Sequence, residues 1–224
     1  MYRCEATSLE GFIQQLVCYI TSGYRWYVTG QIPARKAPSK VDVGLIAKYG
    51  LEVSKFQRAR RKARGEANVQ YLRFEHFFVL IATPPMGGHV FFEKEAQLLR
   101  DIRKQPVRLG GYSVSSRRDG SLVRQGRERW RAHVRMDKET LAMVREFYLE
   151  AALHRNRDEL ERELANCGWS PYAPVRRQLL GLVRDVNFKR KRAGFDLVRV
   201  SCLRFRRRQV RPFERNEGDD SDAE

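Results

Sequence analysis

The sequence predicts an α+β protein: a ferredoxin-like (split βαβ) antiparallel sheet region, then a helical, arginine-rich C-terminal part, then a disordered acidic tail. Three observations lead there. Across residues 24–117 the apolar pattern switches between strand and helix spacing in the order β-α-β-β-α-β. Across 137–192 it stays helical. Charge is unevenly placed: the formal net charge is +17, yet residues 217–224 hold five acids and no base. The expected organisation is a sheet-containing region at 1–136, a basic helical region with an arginine-rich arm at 137–215, and the tail at 216–224.

Taken in order, Ser8 precedes apolar residues Phe12, Leu16, Val17 and Ile20, the mark of an N-capped helix ending near Gly23. Residues 24–30 are aromatic and β-branched and stop at a glycine, as a strand does. After a proline-bracketed loop, Val41, Leu45, Ile46 and Tyr49 recur at helical spacing. A basic helix follows over 54–64, closed by Gly65. Residues 68–83 are too long and aromatic for one strand, so two strands meeting near Glu75 and His76 are expected. Phe91, Phe92, Ala96, Leu99 and Ile102 suggest a helix ended by Pro106, and residues 107–116 resume strand character as the fourth strand of the pattern. A strand at 130–136 leads into a helix capped by Asp137, with further helices at 157–166 and 174–192. From 197 to 210, apolar and basic residues alternate like a strand or extended arm.

Composition narrows the function. With 42% hydrophobic residues the chain builds a core and is not a disordered basic arm. The four cysteines form no CxxC pair, which argues against a zinc cluster or a disulfide framework and fits reduced thiols in the cytoplasm. No run approaches the roughly 18 apolar residues of a spanning helix, and no signal peptide is expected, so no membrane partner is.

The basic residues fall in runs, and like charge held this densely is relieved by a polyanion. Nucleic acid, DNA or RNA, is therefore the expected partner, because each neutralised phosphate releases counterions. Candidate phosphate contacts are Arg58, Arg60, Arg61, Lys62, Arg64, Lys189, Arg190, Lys191, Arg192, Arg204, Arg206, Arg207 and Arg208. The bland alternative is a solvated basic surface. The helix at 174–192 also offers Gln178 and Asn187 for base edges. Tyr24, Trp26 and Phe74 are candidates for base stacking on a sheet face left open by the helices, each stack contributing about 1–3 kcal/mol. Against that, large aromatics are most often core. RNA-recognition modules stack bases in this way, but residues 73–79 lack the glycine their signature requires, and no family is assigned.

Catalysis is the alternative: a nuclease or strand-processing enzyme. The sequence holds no HxH, HExxH, P-loop or GxSxG motif. Metal-free cleavage needs an acid and a base, and His76, His89 and Tyr112 are the candidates, near glycine pairs that let backbone approach phosphate. No cofactor is expected. Mg²⁺ enters only under the nuclease alternative, through Asp42, Glu75, Glu93, Glu95 and Asp101, whose spacing does not compel a site.

Overall fold

Ser8 opens the first helix, as its sequence position requires: its hydroxyl accepts a hydrogen bond from the Gly11 amide at 3.1 Å. The computed structural model describes residues 2–84, 88–119, 130–167, 171–203, 205 and 210–214. Among them the chain forms seven α-helices and two antiparallel sheets. It divides into two units. The first is drawn from Met1–Val107, Val114–Ala132 and Val210–Glu224, the second from Arg108–Ser113 and His133–Gln209.

In the first unit, α1 (Leu9–Thr21) is followed by β1 (Trp26–Gln31), α2 (Pro38–Tyr49), α3 (Lys55–Ala63), β2 (Val69–Phe74), β3 (Phe77–Ala82), α4 (Val90–Lys94) and β4 (Arg100–Asp101). The four strands form one sheet in the order β2-β3-β1-β4, with each pairing antiparallel. β2 and β3 turn through Glu75, the one described non-glycine residue at positive φ (51°). Gly30 pairs with Phe78, whose ring lies 2.4 Å from where a Cβ on Gly30 would be, so only glycine fits beneath that ring.

Both faces of this sheet are covered, which corrects the open face expected from the sequence. Val28, Tyr71, Leu80 and Ala82 face Tyr49 of α2 and Phe91 of α4. On the opposite side, Phe77 meets Phe12 of α1 edge-to-face at 5.8 Å, and Phe12, Ile13, Leu16 and Ile20 are buried. The pattern reading placed helices only between strands. The helix expected after Ser8, here α1, stood outside that pattern and was given no place on the sheet; its apolar stripe is what covers the second face.

Two further expectations are corrected. The helix proposed through Leu99 and Ile102 stops at Lys94, because Arg100 and Asp101 pair with Tyr27 and Trp26 as the edge strand. Residues 107–116 do not supply the fourth strand. Gly110 and Gly111 (φ 54° and 77°) fold that stretch back on itself as β5 (Val107–Leu109) and β6 (Tyr112–Arg118). With β7 (Trp130–Met136) they form a second sheet in the order β5-β6-β7. The chain passes from one unit to the other within these strands.

The second unit is helical: α5 (Lys138–His154), capped by Asp137; α6 (Arg157–Ala165), opened by an Asn156/Glu159 capping box; and α7 (Ala173–Arg192), with proline in its first turn. Tyr148, Ala152, Leu160, Leu164, Val183 and Val186 form its core. The stretch read as a strand or arm contains only a 3₁₀ turn, Val200–Cys202, among its described residues. Val198 and Leu203 are drawn into the helical core and hold the chain there. No helix among the described residues is long and apolar enough to cross a membrane.

Candidate nucleic-acid interface

α3 carries Lys55, Arg58, Arg60, Arg61 and Lys62 within nine residues, has no acid and buries no residue. A reciprocal capping box between Ser54 and Gln57 starts it, which is why so charged a segment holds helical form. Its cations sort into two stripes. Gln57, Arg60, Arg61 and Arg64 lie at i, i+3, i+4 and i+7, and all four line one cleft of about 1730 Å³. Lys55, Arg58 and Lys62 lie on the other stripe. Arg58 donates to the Val53 carbonyl and Lys62 Nζ to the Ser22 carbonyl at 3.3 Å. Arg64 pairs with Glu66 at 2.7 Å, whereas Lys55, Arg60 and Arg61 form no ion pair with a described residue.

The cleft's second wall is α2, through Val43 (69% exposed), Ile46 and Ala47. Its third wall is the N-terminal segment with Phe74 and Phe213. The segment is held by backbone bonds to β2: the Arg73 amide donates to the Cys4 carbonyl and the Ala6 amide to the Arg73 carbonyl, both at 2.7 Å. Phe213 arrives with the segment 210–214, fastened where the Thr7 amide donates to the Pro212 carbonyl at 3.0 Å. Glu5, Glu52, Glu75 and Glu214 also line the cleft. Glu5 is paired with Arg73, and Glu214 with Arg3 and Arg211.

At the cleft's base lies a buried polar cluster. Arg73 donates through Nε and Nη2 to both oxygens of Asp42 (each 2.9 Å at closest), and Tyr71 Oη donates to Asp42 Oδ1 at 2.6 Å. Burial pushes the neighbouring Cys4 thiol up to about 12, and the Asp42 charge adds to the shift. Burial likewise raises Tyr71, so the Cys4 thiol and the Tyr71 hydroxyl keep their protons at neutral pH.

The cleft thus gathers Phe74 with Arg60, Arg61 and Arg64, a ring and three guanidiniums singled out from sequence. Other candidates are spent elsewhere. Tyr24 is 8% exposed and packs on Tyr19 at 5.6 Å, and Trp26 is half-buried against the α2 side of the sheet. In the second unit, Arg190 is 3% exposed and donates to the carbonyls of Ala152, Arg155 and Asp196, closing the C-terminus of α5. Lys189 donates to the Leu149 carbonyl at 2.7 Å; Lys191 and Arg192 are exposed. Gln178 clamps the backbone of Met136 and Asn187 that of Val198, so neither amide is available to read bases. Arg204, Arg206, Arg207, Arg208 and the acidic tail lie outside the described residues.

The catalytic candidates are not assembled. His76 sits in the β2–β3 turn with Nδ1 3.1 Å from the Ile32 carbonyl. His89 caps α4 beyond the far end of β3, its pKa lowered by burial and by the Arg61 charge. The six-residue strand β3 lies between them in the chain, and no hydrogen bond joins them. Tyr112 packs on the core of the second unit. Three of the five carboxylates weighed for Mg²⁺ are taken up singly: Asp42 by Arg73, Asp101 by Arg103, and Glu95 by Lys48 and Tyr49. No group of three metal-ligating side chains forms among the described residues.

Sequence reasoning missed one cluster. Trp130, at the start of β7, has three guanidiniums around its indole: Arg103 at 5.2 Å, Arg118 at 5.4 Å and Arg25 at 5.7 Å from the ring centre. They come from three separated segments, and only the pair Arg117-Arg118 hinted at it. No protein-family model, curated protein or solved structure matches this chain.

Proposed function

We propose that the protein binds nucleic acid, with the α3 cleft of the first unit as its main contact. The observation that carries this reading is the stripe of Arg60, Arg61 and Arg64 along a large open cleft, on a helix with five cations, no acid and no buried side chain. A helix so charged gains nothing from core packing, and its mutual repulsion is relieved by phosphates. The rings of Phe74 and Phe213 and the carboxylates of the cleft suit unpaired bases, which present faces to stack on and amino groups to accept from. Single-stranded RNA or DNA is the favoured form. Lys191, Arg192 and the arginines at 204 and 206–208 add phosphate contacts in this reading, and the strand order β2-β3-β1-β4 supports a ferredoxin-like assignment for residues 26–101. Four free cysteines go with a reducing, cytoplasmic setting.

The test is salt-titrated binding of single- and double-stranded DNA and RNA to the full chain. A steep loss of affinity with salt, tightest for a single strand, supports the reading. It fails if no strand binds, or if changing Arg60, Arg61 and Arg64 to Ala leaves affinity and salt slope as they were.

A further inference from the structure

We propose that the second unit carries a self-association surface, on which α5 of one copy seats in the groove between α5 and α7 of a second copy. The two helices are tied side by side. Arg145 pairs with Asp185 at 2.7 Å, and Lys189 Nζ donates to the Leu149 carbonyl at 2.7 Å. Between them runs an open groove of about 490 Å³, made apolar by Leu149, Leu153 and Phe188. Phe188 is 66% exposed and Leu153 is exposed too, so the core of the unit leaves them uncovered. An apolar surface rimmed by polar groups marks an interaction site.

The rim is positive. Arg145, Lys189 and Arg192 line the groove with a single acid, Asp185, which answers Arg145. Lys189 donates to a carbonyl, which leaves its charge unbalanced. Arg192 lies over the Phe188 ring at 5.7 Å and forms no ion pair with a described residue.

A matching stripe lies on α5 itself. Glu139, Met143, Glu146, Phe147 and Glu150 follow at i, i+4, i+7, i+8 and i+11, one face of a helix. Met143 is 71% exposed, and Phe147 is exposed as well. Glu139 meets Arg108 in an exposed pair at 3.2 Å, whereas Glu146 and Glu150 are exposed and form no ion pair with a described residue. Arg155, over the Phe147 ring at 5.3 Å, is committed to Glu163.

Apolar side chains flanked by acids suit an apolar groove with a positive rim. A two-fold axis lets both copies make the contact at once, each giving its stripe and receiving the other's. Other occupants fit less well. Residues 217–224 are acidic but hold no large apolar side chain to cover Phe188. A nucleic-acid strand would meet Glu146 and Glu150 on the adjoining face of α5 and leave Met143 and Phe147 bare. Nothing in this surface requires the nucleic-acid reading, and of the phosphate candidates it engages only Lys189 and Arg192.

The experiment is sedimentation velocity on the full chain, free of nucleic acid, at concentrations of about 1–100 μM. The mass is expected to rise with concentration from 26.3 kDa to twice that. Phe188→Glu is expected to stay monomeric throughout with unchanged circular dichroism, because the ring lies outside the core. Glu146→Lys with Glu150→Lys, and Arg145→Glu with Arg192→Glu, are each expected to weaken association about tenfold. An equimolar mixture of these two variants is expected to restore it, since the stripe of each then complements the groove of the other. A native chain that is monomeric at every concentration overturns the proposal, as does association that appears only when an oligonucleotide is added. A dimer that Phe188→Glu leaves intact refutes this face. Weakening in both charge variants without rescue in the mixture refutes the α5 stripe as the occupant of the groove.

Discussion

Arg73 and Asp42 form a two-pronged ion pair at 3% and 7% exposure, with Tyr71 donating to the same carboxylate. Removing one charge leaves the other stranded in the interior, and such losses cost about 3–5 kcal/mol. Arg73→Met or Asp42→Leu alone is therefore expected to destabilise the chain by that amount in urea unfolding, and the double variant by much less than the sum. Additive losses would mean that the pair is not a coupled unit.

The α3 stripe behaves in the opposite way. Arg60, Arg61 and Arg64 line open space, so replacing all three by Ala is expected to change stability by under about 0.5 kcal/mol per site. Oligonucleotide affinity should fall at least tenfold, with a shallower salt slope. Unfolding and binding measured on one preparation separate a surface role from a structural one.

Arg190 and Arg192 are neighbours on α7 with different fates. Arg190→Ala uncaps three carbonyls in a buried setting and is expected to cost about 2–3 kcal/mol, whereas Arg192→Ala stays within about 0.5 kcal/mol. Thermal unfolding of the two variants checks this.

His89 links stability to acidity. Burial and then the Arg61 charge lower its pKa from 6.5, so the folded form resists protonation more than the unfolded chain does. Its contribution is intact above pH 6.5 and is lost as pH falls from there toward the folded value, because the unfolded state takes up the proton first. Nδ1 also accepts the Phe91 amide at 3.1 Å, a bond that protonation there would break. His89→Asn keeps a capping acceptor without the titration. Its unfolding temperature should fall less than that of the native chain between pH 7.5 and pH 5.5.

Local signals carried far in this chain. Ser8, Ser54, Asp137 and Asn156 each cap a helix, and Glu75-His76 turns the hairpin. Of these, the sequence reading named Ser8 and Asp137 as caps and placed the turn at Glu75-His76. What escaped is non-local. That α1 would cover the second face of the sheet depends on packing between distant segments. The fate of Arg190 could not be read either, since a cation in a basic run looks alike whether it meets water or the carbonyls of another helix. The grouping of Arg25, Arg103 and Arg118 around Trp130 likewise exists only once the edge strand is in place.

The parallel bridge between Glu5 and Arg73, with its flanking amide bonds, has a consequence for handling the protein. Residues 4–6 act as a sheath over the outer rim of β2, whose amides and carbonyls would otherwise recruit a strand from another molecule. Trimming the chain back to residue 8 would bare that rim. The shortened protein should then cluster at concentrations where the intact one stays dispersed, a difference that light scattering would register before any loss of helical signal.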